Sequence, residues 1–165
     1  MSDTLKPVVN ISEVDFRESS HGDKFAAKLG RVGPMIGSDG LGCTVTIVPP
    51  GKAAFPFHAH HCVDEMFVVL VGTGEYRIGD ERYPVKSGDV LAAPAGGPET
   101  AHQIINTGEG DLQYLAFSSK AEADVVEYPD SGKFAVTSRH DWTSGTGGVR
   151  FVGRPESSVG YWDGE

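Results

Sequence analysis

Cysteine is nearly absent from this chain, with only Cys43 and Cys62 among 165 residues. Two thiols outside a Cys-x-x-Cys pair exclude a disulfide scaffold and a cysteine-ligated zinc site, so both are expected reduced, with Cys62 as a small buried apolar group. Positive charge is also scarce. Lys and Arg number 14 against 23 Asp and Glu, a formal charge of −9, and no basic cluster stands out. Such a chain is a poor match for a nucleic-acid backbone or an anionic membrane surface. No apolar run approaches the roughly 18 residues of a spanning helix. The start, Met1-Ser2-Asp3-Thr4-Leu5-Lys6, lacks the charged-then-apolar layout of a secretion signal, which gives a soluble, cytoplasmic protein as the expectation. Repeats of solenoid length are missing, and so, almost entirely, is a helical period. The length suits one domain.

What is abundant is punctuation. Twenty-two glycines and ten prolines are spread along the chain and divide it into short segments, as the turns of an all-β domain require. Strands are expected over 24–32, 41–48, 65–71, 75–78, 82–85, 90–93, 102–106 and 112–117, with 55–60 extended. That spacing predicts a sandwich or barrel over residues 24–118. Residues 1–23 read as a polar surface arm. Residues 119–165 read as an extension, with one helical turn around Ala121 to Asp124 and apolar anchors such as Trp142, Phe151, Tyr161 and Trp162; too apolar-poor for its own core, it is expected to pack on the barrel or on a partner subunit.

The stretch from Gly51 to Gly72 carries the chemistry. Side chains two apart on a strand share a face, so His58 and His60 point the same way if this piece is extended. A tight connection brings Glu65, at the head of the next strand, beside them, and His102 arrives from a later segment. Three imidazoles and one carboxylate suit one divalent transition metal: Zn, Mn, Fe or Ni. A histidine pair alone reads more simply as two solvent-facing residues; Glu65, His102 and the strand-rich context shift that balance. His61 has the opposite parity and is expected to face away, while His21 and His140 read as surface residues.

Two blocks, Gly51, His58, His60, Glu65 and Gly72, then Gly88, Pro94, Gly96, His102 and Asn106, resemble the paired motifs of the cupin superfamily. Fifteen residues separate Gly72 from Gly88, as in minimal one-barrel members. One extra residue precedes His58, and three more lie between Gly96 and His102. The resemblance implies a double-stranded β-helix, or jelly-roll, barrel. The segments Ala95 to Gln103, Tyr128 to Phe134 and Tyr161 to Glu165 resemble a bacterial subgroup, some members of which are labelled sugar-phosphate-isomerase-like; that label carries over by fold-level analogy alone.

Around the ligand set, Glu99 is read as a turn residue with a second role as general acid or base at the mouth. Phe55, Phe57, Tyr76, Gln103, Asn106 and Tyr114 are candidate pocket residues, with Phe55, Phe57 and Phe67 also read as packing around the site. The leading expectation is a mononuclear metal enzyme acting on a small oxygenated metabolite, either an isomerase of a hydroxy-carbonyl or sugar-like compound or a dioxygenase. The alternative is a non-catalytic small-molecule binder whose metal is structural or anchors the ligand. The segment Met66 to Val71, apolar on both faces, needs a cover, which predicts a homodimer.

Overall fold

The computed structural model describes residues 6–139 and 145–165; His140 and Trp142 lie outside the described residues. Apart from single 3-10 turns, the regular structure is strand throughout: β1 (Arg17–His21), β2 (Phe25–Arg31), β3 (Leu41–Val48), β4 (Ala59–His60), β5 (Glu65–Val71), β6 (Thr73–Ile78), β7 (Glu81–Lys86), β8 (Val90–Ala93), β9 (His102–Ile105), β10 (Leu112–Ser119), β11 (Ala123–Tyr128), β12 (Lys133–Ser138) and β13 (Val149–Gly153). One sheet runs β1-β2-β3-β10-β5-β8. Facing it are the ladders β7-β6-β9 and β13-β12-β11-β4, which the bridges Ala53↔Ile105 and His58↔His102 join. The fold is an all-β jelly roll of antiparallel strands. No helix among the described residues is long and apolar enough to cross a membrane.

Alternation decides which side chains meet inside. On β5, Glu65, Phe67 and Val69 share the inward parity, and Phe67 and Val69 are buried while Met66, of the opposite parity, is exposed. With Val48, Tyr76, Leu91, Ile104, Leu112 and Tyr114 they form the core between the sheets. The turn out of β5 admits only glycine: Gly72 has φ of 89°, and a Cβ there would lie 2.5 Å from the Asp111 carbonyl oxygen, a distance no side chain tolerates.

The barrel margins differ from expectation at both ends. Val14, within the stretch read as a surface arm, is 5% exposed and packs with Val32 and Val45, with Phe16 alongside, on the outer face of the first sheet. Residues 17–21 form β1, which pairs with β2 along its whole length. The expected helical turn at Ala121 to Asp124 is instead the entry into β11, whose β-branched Val125 and Val126 favour an extended backbone. The extension therefore supplies three strands of the second sheet, and β11 pairs directly with β4 through Val126↔His60 and Glu127↔Ala59. Near the end of the chain Tyr161 and Trp162 are exposed on this single chain and contact each other, ring centroids 4.7 Å apart.

Candidate metal centre

The two sheets deliver the site from opposite sides. His58 and His102 exchange both backbone hydrogen bonds, 3.1 Å and 2.7 Å, so their side chains project from the same face of the second sheet. Their ring centroids lie 4.7 Å apart. His60, two residues on, keeps that face with its ring 5.0 Å from His58. Glu65 reaches across from β5 on the facing sheet. Its Oε2 lies 3.0 Å from His102 Nε2, 3.5 Å from His60 Nε2 and 4.0 Å from His58 Nε2. His58, His60 and Glu65 each offer a ligand atom, all within 4.8 Å of one another. His102 stands outside that trio, as the hydrogen-bond donor to Glu65. His61 is turned away, with Nε2 3.6 Å from Glu127 Oε1.

The ring nitrogens settle whether this set fits a divalent ion. His58 Nδ1–H donates to the Pro56 carbonyl at 2.7 Å. His60 Nδ1–H donates to Asp124 Oδ2 at 2.5 Å. With those protons committed, both Nε2 lone pairs face the Glu65 carboxylate, the arrangement that imidazole ligation needs. His102 Nδ1 is buried with no partner. The residues fit a first-row divalent ion, with nitrogen and carboxylate donors.

Burial and charge tune the groups in opposite senses. His58 is pushed down to about 4, first by burial and then by repulsion from the neighbouring imidazoles of His102 and His60. Burial also pulls His60 down, but the Asp124 hydrogen bond and the Glu65 and Asp124 charges outweigh it, so its value is raised. Burial raises Glu65, yet the His102 hydrogen bond and the surrounding imidazoles hold it below the usual carboxylate range. Asp124 is low for the same kind of reason: its bonds from His60 and the Cys62 amide outweigh its burial.

The cluster forms part of the wall of a cavity of about 930 Å³, within the range of small-molecule sites. Phe55, Gln103 and Tyr114 line it, whereas Phe57, Tyr76 and Asn106 do not. Phe55 is 44% exposed, so it packs less than predicted. Phe57 is buried against Ala59 and Ala101, and Tyr76 donates its hydroxyl to the Ala92 carbonyl. Asn106, wholly buried, donates to the Val48 and Gly110 carbonyls and accepts the Gly108 amide; it locks a turn. Glu99 does not line the cavity. It sits in the exposed turn Pro98–Thr100, accepting the Gly97 amide. Cys62 is exposed, because the chain leaves β4 toward solvent there.

The wall beside His58 and His60, in the same sheet, comes from the extension. Asp124, Tyr128, Thr137 and Arg150 all line the cavity, and the Tyr128 ring stacks on His58 at 6.1 Å. None belongs to the motif blocks. The signal that would have found Asp124 is the alternation of Asp124, Val126 and Tyr128 on a β-branched segment.

Residues 44–118 match the cupin domain family. An uncharacterised protein of Methanocaldococcus jannaschii is 35% identical over 85 residues, covering 49% of this chain and 65% of that protein. The oxalate-binding protein of Thermotoga maritima is 35% identical over 69 residues, 42% of this chain and 54% of that protein. The chain thus spans between about half and two thirds of these two relatives. Over its whole length the fold is similar to the crystal structure of a candidate sugar phosphate isomerase from Acidithiobacillus ferrooxidans, with TM-score 0.79, 23% identity, and coverage of 95% of this chain and 97% of that one. That likeness extends the shared fold beyond residue 118.

Proposed function

We propose that the protein is a metal-dependent enzyme that isomerises a small hydroxy-carbonyl compound bearing an acidic group, of the sugar-phosphate kind. The observation that carries this reading is the His58, His60 and Glu65 cluster in the wall of a cavity whose remaining lining is rich in basic residues. The chain is acidic overall, at −9, yet Arg31, Lys120, Arg139 and Arg150 all line this one cavity, against Glu65, Glu122 and Asp124. Four basic groups meet three acidic ones, before a divalent ion adds its own positive charge. A cleft of that balance favours an anionic ligand.

His58, His60 and Glu65, with His102 beside them, would hold a divalent ion, which would supply polarisation of a carbonyl or hydroxyl oxygen. The chain's own groups do the rest. Tyr128, raised by burial, keeps its phenolic proton beside His58 and can donate it to a substrate oxygen. Val126 and Ala135, both buried and both lining the cavity, keep water from the wall.

The test is metal analysis of protein purified without an affinity-tag metal, followed by incubation with aldose and ketose phosphates in deuterated water. Metal-dependent incorporation of deuterium at the carbon next to the carbonyl is the expected result. Metal-dependent binding without exchange would favour the second reading, a ligand-anchoring module, for which the oxalate-binding relative from Thermotoga is the supporting observation.

We further infer that two chains associate through the outer face of β5 and β8. Met66 and Val90 are exposed there, at 49% and 62%, on adjacent strands where Val68 pairs with Val90. A sedimentation mass of twice the 17.5 kDa chain is expected, and a mass of one chain overturns the association.

A further inference from the structure

We propose that Asp124, carried by β11, is a positioning residue of the metal centre: it holds His60 in the tautomer that leaves Nε2 bare toward Glu65. The inference rests on the metal reading above and concerns a residue outside the matched domain and outside both motif blocks. Asp124 is 8% exposed and uses both carboxylate oxygens. Oδ2 accepts His60 Nδ1–H at 2.5 Å, and Oδ1 accepts the Cys62 backbone amide at 2.9 Å. The same strand grips the backbone beside the ligand, since the His61 amide donates to the Val125 carbonyl at 2.9 Å. His60 is thus held by main chain and side chain from one element.

A merely structural role for Asp124, pinning the chain at Cys62, makes a different forecast from a positioning role, and the difference lies in oxygen count. His60 and the Cys62 amide donate to different oxygens of Asp124, and the Val125 amide is a further donor, so both oxygens are needed. In Asp124→Asn one oxygen becomes an NH2 group. The Cys62 amide is fixed by its backbone and claims the remaining oxygen. The NH2 then faces His60 Nδ1, which must offer a lone pair, and the imidazole proton moves to Nε2. That proton occupies the ligand position. In Asp124→Ala, water can still accept from Nδ1–H, and the productive tautomer survives, though less firmly held.

The experiment is Zn²⁺ titration of the metal-stripped, full-length protein by calorimetry, with thermal melts of the stripped proteins in parallel. Outer partners of metal-bound histidines are typically worth about 10- to 100-fold in affinity. Asp124→Asn is expected to bind Zn²⁺ in that measure more weakly than the unsubstituted protein, and more weakly than Asp124→Ala. The melts should rank the other way, because Asp124→Asn keeps the Cys62 bond. Affinities that simply follow the melting temperatures would overturn the proposal. Nitrogen-15 NMR of the stripped protein, about two pH units above the imidazole range, reads the tautomer without metal: Nδ1–H at His60 in the unsubstituted chain, Nε2–H in Asp124→Asn. An unchanged tautomer, with Zn²⁺ still bound by all three proteins, sinks the role of Asp124 alone. No Zn²⁺ binding by the unsubstituted protein sinks the metal reading instead, and with it any positioning role.

Discussion

Each ligand candidate at the centre is held by a different constraint, so single substitutions separate them. Replacing His58 or His60 with Ala removes one member of the trio that lies within 4.8 Å; stoichiometric metal in the purified protein should fall sharply, read by elemental analysis. His61→Ala should leave it intact, because that side chain faces Glu127. The pH dependence of the metal-free fold follows from His58. Its value drops from 6.5 to about 4 on folding, so the unfolded chain takes up a proton through this window while the folded one does not. The His58 contribution is therefore full above 6.5 and declines as the pH falls toward 4, by about 3 kcal/mol if His58 acts alone. His60 has the opposite sign, its contribution being complete below 6.5 and fading as the pH rises through its raised folded value, so it leaves the 4 to 6.5 window to His58. Urea denaturation of chelated protein across that range checks the slope. At this scale the sequence was legible where neighbours in sequence share a face, as His58 and His60 do; Glu65 joins them from the facing sheet. Asp124 was hidden because it reaches His60 from 64 positions away, with no motif to announce it.

Among the elements, legibility tracked apolar alternation. β3, β5 and β8 have the bounds that their β-branched and apolar runs predicted. β1, with the sequence Arg-Glu-Ser-Ser-His, is exposed at every position and is a strand only because β2 offers it a ladder; no side-chain pattern could show this. β11 and β12 were masked by reading their polar flanks rather than their centres. The connection from β9 to β10 gives a direct stability test. Asn106 serves two carbonyls and one amide there while fully buried. Asn106→Ala strands those groups and should destabilise the protein by about 3 kcal/mol, seen as a lower urea midpoint at unchanged slope. Metal content at neutral pH should persist, since Asn106 neither lines the cavity nor touches a ligand.

For the molecule as a whole, the second sheet matters most, because the strand bearing His60 pairs with β11 from the extension while Glu65 stands on the first sheet. A bound ion would tie the two sheets together. Removing it by chelation should lower the melting temperature: at a free metal concentration of one hundred times the dissociation constant the linkage is about 2.7 kcal/mol, a shift of roughly 5–10 °C for a domain of this size. Calorimetric scans with and without chelator measure it. The ladder between β4 and β11 also sets a schedule for biosynthesis. When His58, His60 and Glu65 leave the ribosome, Asp124, 59 positions beyond Glu65, has yet to emerge. At about 5–20 residues per second, the nascent histidines wait several seconds for the strand that orients them, and selective capture of an ion waits until β11 has emerged.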